Sequence, residues 1–219
     1  TISPSLTIAG SQTDRGFDGA IRLDINGRDI RGSAPSFGLS LESTSFQVRT
    51  GEIPVHANRP GPIHADLSVN MTGITAGAAS VRDLAFGLQA DRSEAGRLAA
   101  HVTMKGLVSA ALEPAGPRLS EPLTLDVETS GDETALSFSL TKVKATVGDL
   151  VSLVANGTVG PLGEAGKPAE EQRPFSLHAT VRSDANKLFR TLPPSLRQGF
   201  GLTAHGTPQT ASLNVTGSL

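Results

Sequence analysis

Five histidines are the residues of this chain best suited to chemistry near neutral pH: His56, His64, His101, His178 and His205. Imidazole can ligate a metal or carry a proton. His64, His101, His178 and His205 fall at polar positions of alternating segments, and His56 lies in a proline-rich stretch. No pair has the i, i+4 or short-loop spacing of a zinc site, so they are expected on a solvated face. A site assembled across strands is left open by spacing alone. Asp126 and Glu128 share one strand face, and glycoside hydrolysis uses two acids roughly 5–9 Å apart. The chain has neither Trp nor Tyr to hold a sugar ring, which weighs against that chemistry. There is no Cys, which excludes disulfides and thiolate metal sites. No G-x-S-x-G elbow is present. Gly27-Arg-Asp-Ile-Arg-Gly32-Ser33 has the glycine spacing of a phosphate loop but lacks its Lys and a following helix, and reads as a turn. Lys142 and Lys144 alternate with Val143 and Ala145 and read as a wetted strand face. The chain is therefore expected to be non-enzymatic and to carry no metal or cofactor.

The elements that would position these groups are strands. Ile21-Leu23-Ile25 alternate with Arg22-Asp24-Asn26, and Ile63-Ala65-Leu67-Val69-Met71 with His64-Asp66-Ser68-Asn70. Leu98-Ala100-Val102-Met104 and Phe175-Leu177-Ala179-Val181 repeat the pattern. Successive side chains of a strand point to opposite faces, so each segment has one apolar and one wetted side. Such segments recur about every 10–15 residues, as in all-β architectures. Turns are expected at Asn26-Gly27, Ser130-Gly131-Asp132, Asn156-Gly157 and Gly206-Thr207-Pro208, and separate strands at 36–42 and 44–50, 97–106 and 107–113, 134–141 and 142–148. Residues 51–62 and 160–174 read as mobile loops. The apolar parity shifts from Leu136-Phe138-Leu140 to Val143-Ala145-Val147, which predicts a β-bulge or bend near Thr141-Lys142. One helix is expected near 184–199, capped by Asp184, with Leu188, Phe189 and Leu192 on one side and Pro193-Pro194 breaking it.

The net charge is −2 and only 18% of residues are charged, so nothing here recruits nucleic acid. No apolar run approaches the ~20 residues of a membrane-spanning helix. The lack of Trp and Tyr also argues against an outer-membrane barrel, which uses such rings at the bilayer interfaces. The apolar parity contains many small residues, among them Ala65, Ala100, Ala135, Ala145, Ala179 and Ala204. A packed sandwich core needs larger side chains. The expected fold is all-β: one large, strongly curved, mostly antiparallel sheet shaped like a trough, with the short helix. Residues 1–219 read as a single elongated domain cut from a longer protein. Leu67, Val69, Val102, Leu125, Val127, Phe138, Leu177 and Val181 are the candidate residues of a lipid-facing groove.

A family resemblance rests on the C-terminal third. Phe138-Ser-Leu-Thr-Lys-Val-Lys-Ala-Thr-Val-Gly-Asp-Leu-Val-Ser-Leu-Val-Ala-Asn-Gly-Thr-Val159 is followed by a strand from Phe175, then by Asp184-Ala-Asn-Lys-Leu-Phe-Arg-Thr-Leu-Pro-Pro-Ser-Leu196 and Leu213-Asn-Val-Thr-Gly-Ser-Leu219. This order resembles the AsmA-like, TamB-like proteins of Gram-negative envelopes, best over residues 134–219. The resemblance implies a long curled sheet with a hydrophobic interior, in a parent protein anchored in the inner membrane and extending through the periplasm. It also implies phospholipid or another acyl-chain lipid as cargo, outer-membrane assembly proteins as partners, and no catalytic residue. Two other readings stay open: a closed β-sandwich or β-solenoid that binds protein partners, and a hydrolase of envelope polymers.

Overall fold

The computed structural model describes residues 1–34, 36, 39–76, 79–111, 118–135, 137–160, 174–184, 187 and 209–218. They build one sheet of thirteen antiparallel strands that does not close into a barrel. The strands are β1 (Ile2–Thr13), β2 (Gly16–Ala34), β3 (Leu39–Thr50), β4 (Ile53–His56), β5 (Arg59–Pro60), β6 (Ile63–Ala76), β7 (Ala79–Arg92), β8 (Arg97–Ala111), β9 (Arg118–Asp132), β10 (Ser137–Val147), β11 (Val151–Val159), β12 (Pro174–Ser183) and β13 (Gln209–Ser218). From β6 to β13 each strand pairs with the next in sequence, β6 pairs with β3, and β3 pairs with β2. On its other edge β2 pairs with β1 along the full length of β1. The small strand β4 continues the line of β3 along β2, through Ile53 opposite Ile21, and β5 folds back on β4. Among the described residues β1 and β13 are the outermost strands of the sheet.

Alternation selects this arrangement. Each strand has an apolar parity, and antiparallel neighbours pair so that those parities coincide; a slip of one residue would turn a whole set to the wrong side. β10 shows how strictly this holds. Before Thr141 it pairs Leu140 with Thr129 and Gly157; after it, Val143 pairs with Val127 and Ala155. Thr141 is one extra residue relative to both neighbours, a β-bulge at the position where the apolar parity shifts. It returns Val143, Ala145 and Val147 to the side that Phe138 and Leu140 occupy.

Several expected breaks are not breaks. Asn26-Gly27, and the whole segment Gly27–Ser33, lie inside β2, and Asn156-Gly157 lies inside β11. Gly27 is buried because the Phe46 ring from β3 covers it: a Cβ there would stand 2.7 Å from Phe46 Cδ1. A Cβ on Gly157 would stand 2.6 Å from the Ser176 carbonyl oxygen. These glycines make room for a neighbouring strand rather than turning the chain. The segments expected as separate strands at 36–42 and 44–50 form the single β3, with residues 35, 37 and 38 outside the described set. Those at 97–106 and 107–113 form the single β8, and those at 134–141 and 142–148 the bulged β10. Residues 51–62 are not a bare loop but hold β4 and β5, where Ala57 and Asn58 make the tight turn with positive φ. Ala135 lies in the turn after β9 rather than on the apolar side. Of the loop expected at 160–174, Pro174 begins β12 and residues 161–173 lie outside the described residues, as do Ala204, His205 and the apolar stripe Leu188, Phe189 and Leu192 of the expected helix. Of that helix, Lys187 is helical, and its backbone N–H donates to Asp184 Oδ1 at 3.0 Å, an N-cap bond.

A feature with no sequence signal crosses one end of the sheet. The β2–β3 ladder shifts between Gly27 and Ile30, the β3–β6 ladder lapses between Leu41/Ile74 and Thr44/Met71, and the β7–β8 ladder shifts between Arg82 and Ala85. Asp29 and Asp83 take left-handed φ of 54° and 50° on this line. Asp tolerates that conformation better than most residues. Arg28, Asp29, Ser43, Asn70, Thr72 and Asp83 border a polar cleft of about 580 Å³ along it.

Candidate functional site

The register gathers the apolar residues into rows that run across the strands. One row is Phe46, Val69, Phe86, Met104, Leu125, Ala145, Leu153, Val181 and Ala211. The next, two residues along each strand, is Ile25, Val48, Leu67, Leu88, Val102, Val127, Val143, Ala155, Ala179 and Leu213. A third joins Ala65, Ala90, Ala100, Thr129, Leu140, Gly157, Leu177 and Val215. A fourth holds Leu98, Gly131, Phe138, Val159 and Phe175. Steps of two residues keep to one side of a pleated sheet, so the four rows share a face. The eight candidate groove residues are distributed over them: Val69, Leu125 and Val181 in the first; Leu67, Val102 and Val127 in the second; Leu177 in the third; Phe138 in the fourth.

This face is only partly covered. Among the described residues the buried apolar side chains are Val55, Leu84, Leu150 and Ala155. Large apolar groups remain exposed: Phe138 at 49%, Val181 at 40% and Leu177 at 36%. Exposure is highest on the edge strands, at 61% for Leu6 and 56% for Leu213. A sheet facing a packed second layer would bury these groups. A depression of about 640 Å³ lies at one end of the face, with Leu98, Gly131, Phe138 and Val159 in its lining.

The opposite side is polar and laced with cross-strand pairs. Asp24, Arg49, Asp66, Gln89, His101, Glu128 and Lys142 form one row across seven strands. Arg49 Nε donates to Asp24 Oδ2 at 3.2 Å. Lys142 Nζ donates to Asp126 Oδ2 at 2.6 Å and to Glu128 Oε1 at 3.0 Å, and His101 Nε2 meets Asp126 Oδ1 at 2.9 Å. The hydrogen bond from Lys142, helped by the one from His101, holds the Asp126 carboxyl below its ordinary range, and the same bond to Asp126 raises the Lys142 ammonium. His64 spans two carboxylates, Nδ1 to Asp91 Oδ1 at 2.6 Å and Nε2 to Asp66 Oδ2 at 3.1 Å. Both ring nitrogens can donate only in the imidazolium form, and the bond to Asp91 raises the His64 pKa. His178 bonds Asn214.

His64, His101 and His178 thus share their face with acids and hydroxyls, away from the apolar rows. His101, Asp126 and Glu128 offer three potential ligand atoms within 4.8 Å of one another, a cross-strand grouping that spacing along the sequence did not reveal. The Lys142 ammonium already bonds both carboxylates, so their charge is answered by the chain itself. Val154, 48% exposed opposite Lys144 and Thr180, is an apolar residue on the polar side. Among the described residues no helix is long and apolar enough to cross a membrane. No family model, curated protein or solved structure matches the chain.

Proposed function

We propose that the apolar face is a holding surface for acyl-chain lipid, and that the chain is a non-catalytic segment of an AsmA-like conduit in the periplasm. One observation carries this reading: four adjacent apolar rows, spanning up to ten strands, leave large aliphatic and aromatic side chains exposed. Soluble monomers rarely leave contiguous apolar patches beyond a few hundred Å² bare. Each methylene of a chain laid on such a surface gains about 0.8 kcal/mol when fully buried, so several methylenes hold a lipid without a specific polar contact. The alanines of the third row keep the surface low, and the polar face supplies solubility. Affinity then depends on chain length more than on headgroup. The envelope location and the family rest on the C-terminal resemblance. The rival reading, a closed sandwich, calls for a filled core, whereas four apolar side chains are buried among the described residues.

A photo-reactive amino acid tests the proposal directly. Placed at Val102 or Leu177 it captures phospholipid in Gram-negative cells, and at Thr103 or His178 it does not. Equal labelling from both faces, or none from either in an active parent protein, removes the conduit reading and leaves a scaffold for protein partners.

A further inference from the structure

Both thioethers of the chain lie on the same side of the sheet. Met104 stands in the first apolar row, opposite Phe86 on β7 and Leu125 on β9. Met71 lies two residues beyond Val69 on β6, hence on the same side, opposite Thr44 on β3 and Leu84 on β7. The sequence has two methionines in all, so every sulfur it carries belongs to the apolar face. Each of the two is half-buried, which leaves its side chain within reach of solvent while that face is bare.

Composition gives this placement a chemical meaning. The chain has no Cys, Trp or Tyr, so its two thioethers are the side chains that a peroxide oxidises most readily. Methionine suits an apolar surface because its thioether is soft, flexible and without strong polarity. The sulfoxide is the opposite: polar, chiral and a strong hydrogen-bond acceptor. At Met104 it would stand in a row whose other members, from Phe46 to Ala211, are all apolar.

We infer that Met71 and Met104 are an oxidant-sensitive switch: a peroxide converts them to sulfoxides, and the face then no longer takes up an acyl chain. The sulfur attacks one oxygen of hydrogen peroxide. An S–O bond forms, the O–O bond breaks, and the proton of the transferred oxygen passes to the departing hydroxide, which leaves as water. Sulfur loses two electrons and the peroxide gains them. Methionine sulfoxide reductases reverse the change, one enzyme for each epimer, consuming a dithiol and releasing water. A lipid already laid over Met104 covers its sulfur, so the switch acts on the empty face and blocks loading. The effect on lipid rests on the reading of this face as a lipid surface; the placement of the two sulfurs does not.

The test is to treat the chain with hydrogen peroxide and measure its binding of a fluorescent long-chain fatty acid before and after. Intact mass and peptide mapping should show one added oxygen on Met71 and one on Met104. Affinity should fall roughly tenfold, as if about two methylenes had lost their burial, and sulfoxide reductases should restore it. The double variant Met71→Leu, Met104→Leu conserves volume, so it should bind like the untreated wild type and keep its affinity in peroxide. Saturation with the fatty acid beforehand should slow oxidation of Met104. A wild-type chain that binds no fatty acid before treatment overturns the lipid reading, and the switch with it. Binding that is unchanged after both sulfurs are oxidised overturns the switch alone. So does an equal loss in the double leucine variant, since the damage then lies elsewhere. An oxidised chain whose circular dichroism shows a melted sheet also overturns it, because the loss is then unfolding and not a change of surface.

Discussion

Deleting a residue from a strand normally turns half of it inside out, yet deletion of Thr141 should leave this protein nearly unchanged. Thr141 is exposed and is the extra residue of the β10 bulge. Without it the order Leu140, Lys142, Val143, Lys144, Ala145 alternates without a fault. Leu140 stays opposite Thr129, Lys142 opposite Glu128 and Val143 opposite Val127, and the Lys142 bonds to Asp126 and Glu128 survive. The expected change is below about 1 kcal/mol, or less than roughly 4 °C in melting temperature for a chain of this size. Deletion of Thr103 is the control, because β8 pairs with β9 in one unbroken register. There the first half of the strand must slip, sending Leu98, Ala100 and Val102 to the polar side and Arg97 and His101 to the apolar side. Leu98 is already 42% exposed, so each large aliphatic loses about half of its full burial value, roughly 1 kcal/mol. Leu98 and Val102 together lose about 2 kcal/mol, or roughly 4–8 °C. Circular dichroism melts compare the two, and hydrogen exchange of the β9 and β10 amides confirms that the register holds. If deleting Thr141 destabilises as much as deleting Thr103, alternation does not govern this sheet.

Gly27→Ala should cost about 1–3 kcal/mol in urea titrations, because its Cβ overlaps the Phe46 ring, and adding Phe46→Leu should recover much of the loss. The cycle fails if the double variant is no better than the single one. The raised pKa of His64 has a definite sign: it adds stability below the ordinary value near 6.5, and that contribution fades as pH rises through the folded value. Asp91→Asn should move the NMR titration midpoint of His64 down toward 6.5, and an unmoved midpoint would show that Asp91 is not its cause.

Alternation alone was enough to read an all-β chain and a bulge or bend near Thr141-Lys142, because a strand writes its two faces into every second residue. What alternation lacks is the neighbour. Gly27 and Gly157 were read as turns because glycine marks both a bend and a place where something leans on the backbone; only the ring of Phe46 and the carbonyl of Ser176 decide between them. The β4–β5 hairpin hid in residues 51–62 because its prolines erase the period while suiting the rim of the sheet. The line of irregularities through Asp29 and Asp83 left no trace, since it is a property of five strands together. The Lys142–Asp126–His101 grouping is legible only once register sets three strands side by side.

The order of the strands has a mechanical consequence. β1 and β13 sit at opposite edges, and nearly every strand between them is held by the strands before and after it in the chain. A pull on the two ends therefore loads the outermost ladders first and opens their hydrogen bonds one after another, as a zipper opens, rather than shearing many at once. Each strand that leaves makes its neighbour the new edge. Under tension the molecule should lengthen in small steps at low force, one strand per step, and should close again in reverse order when the load is released.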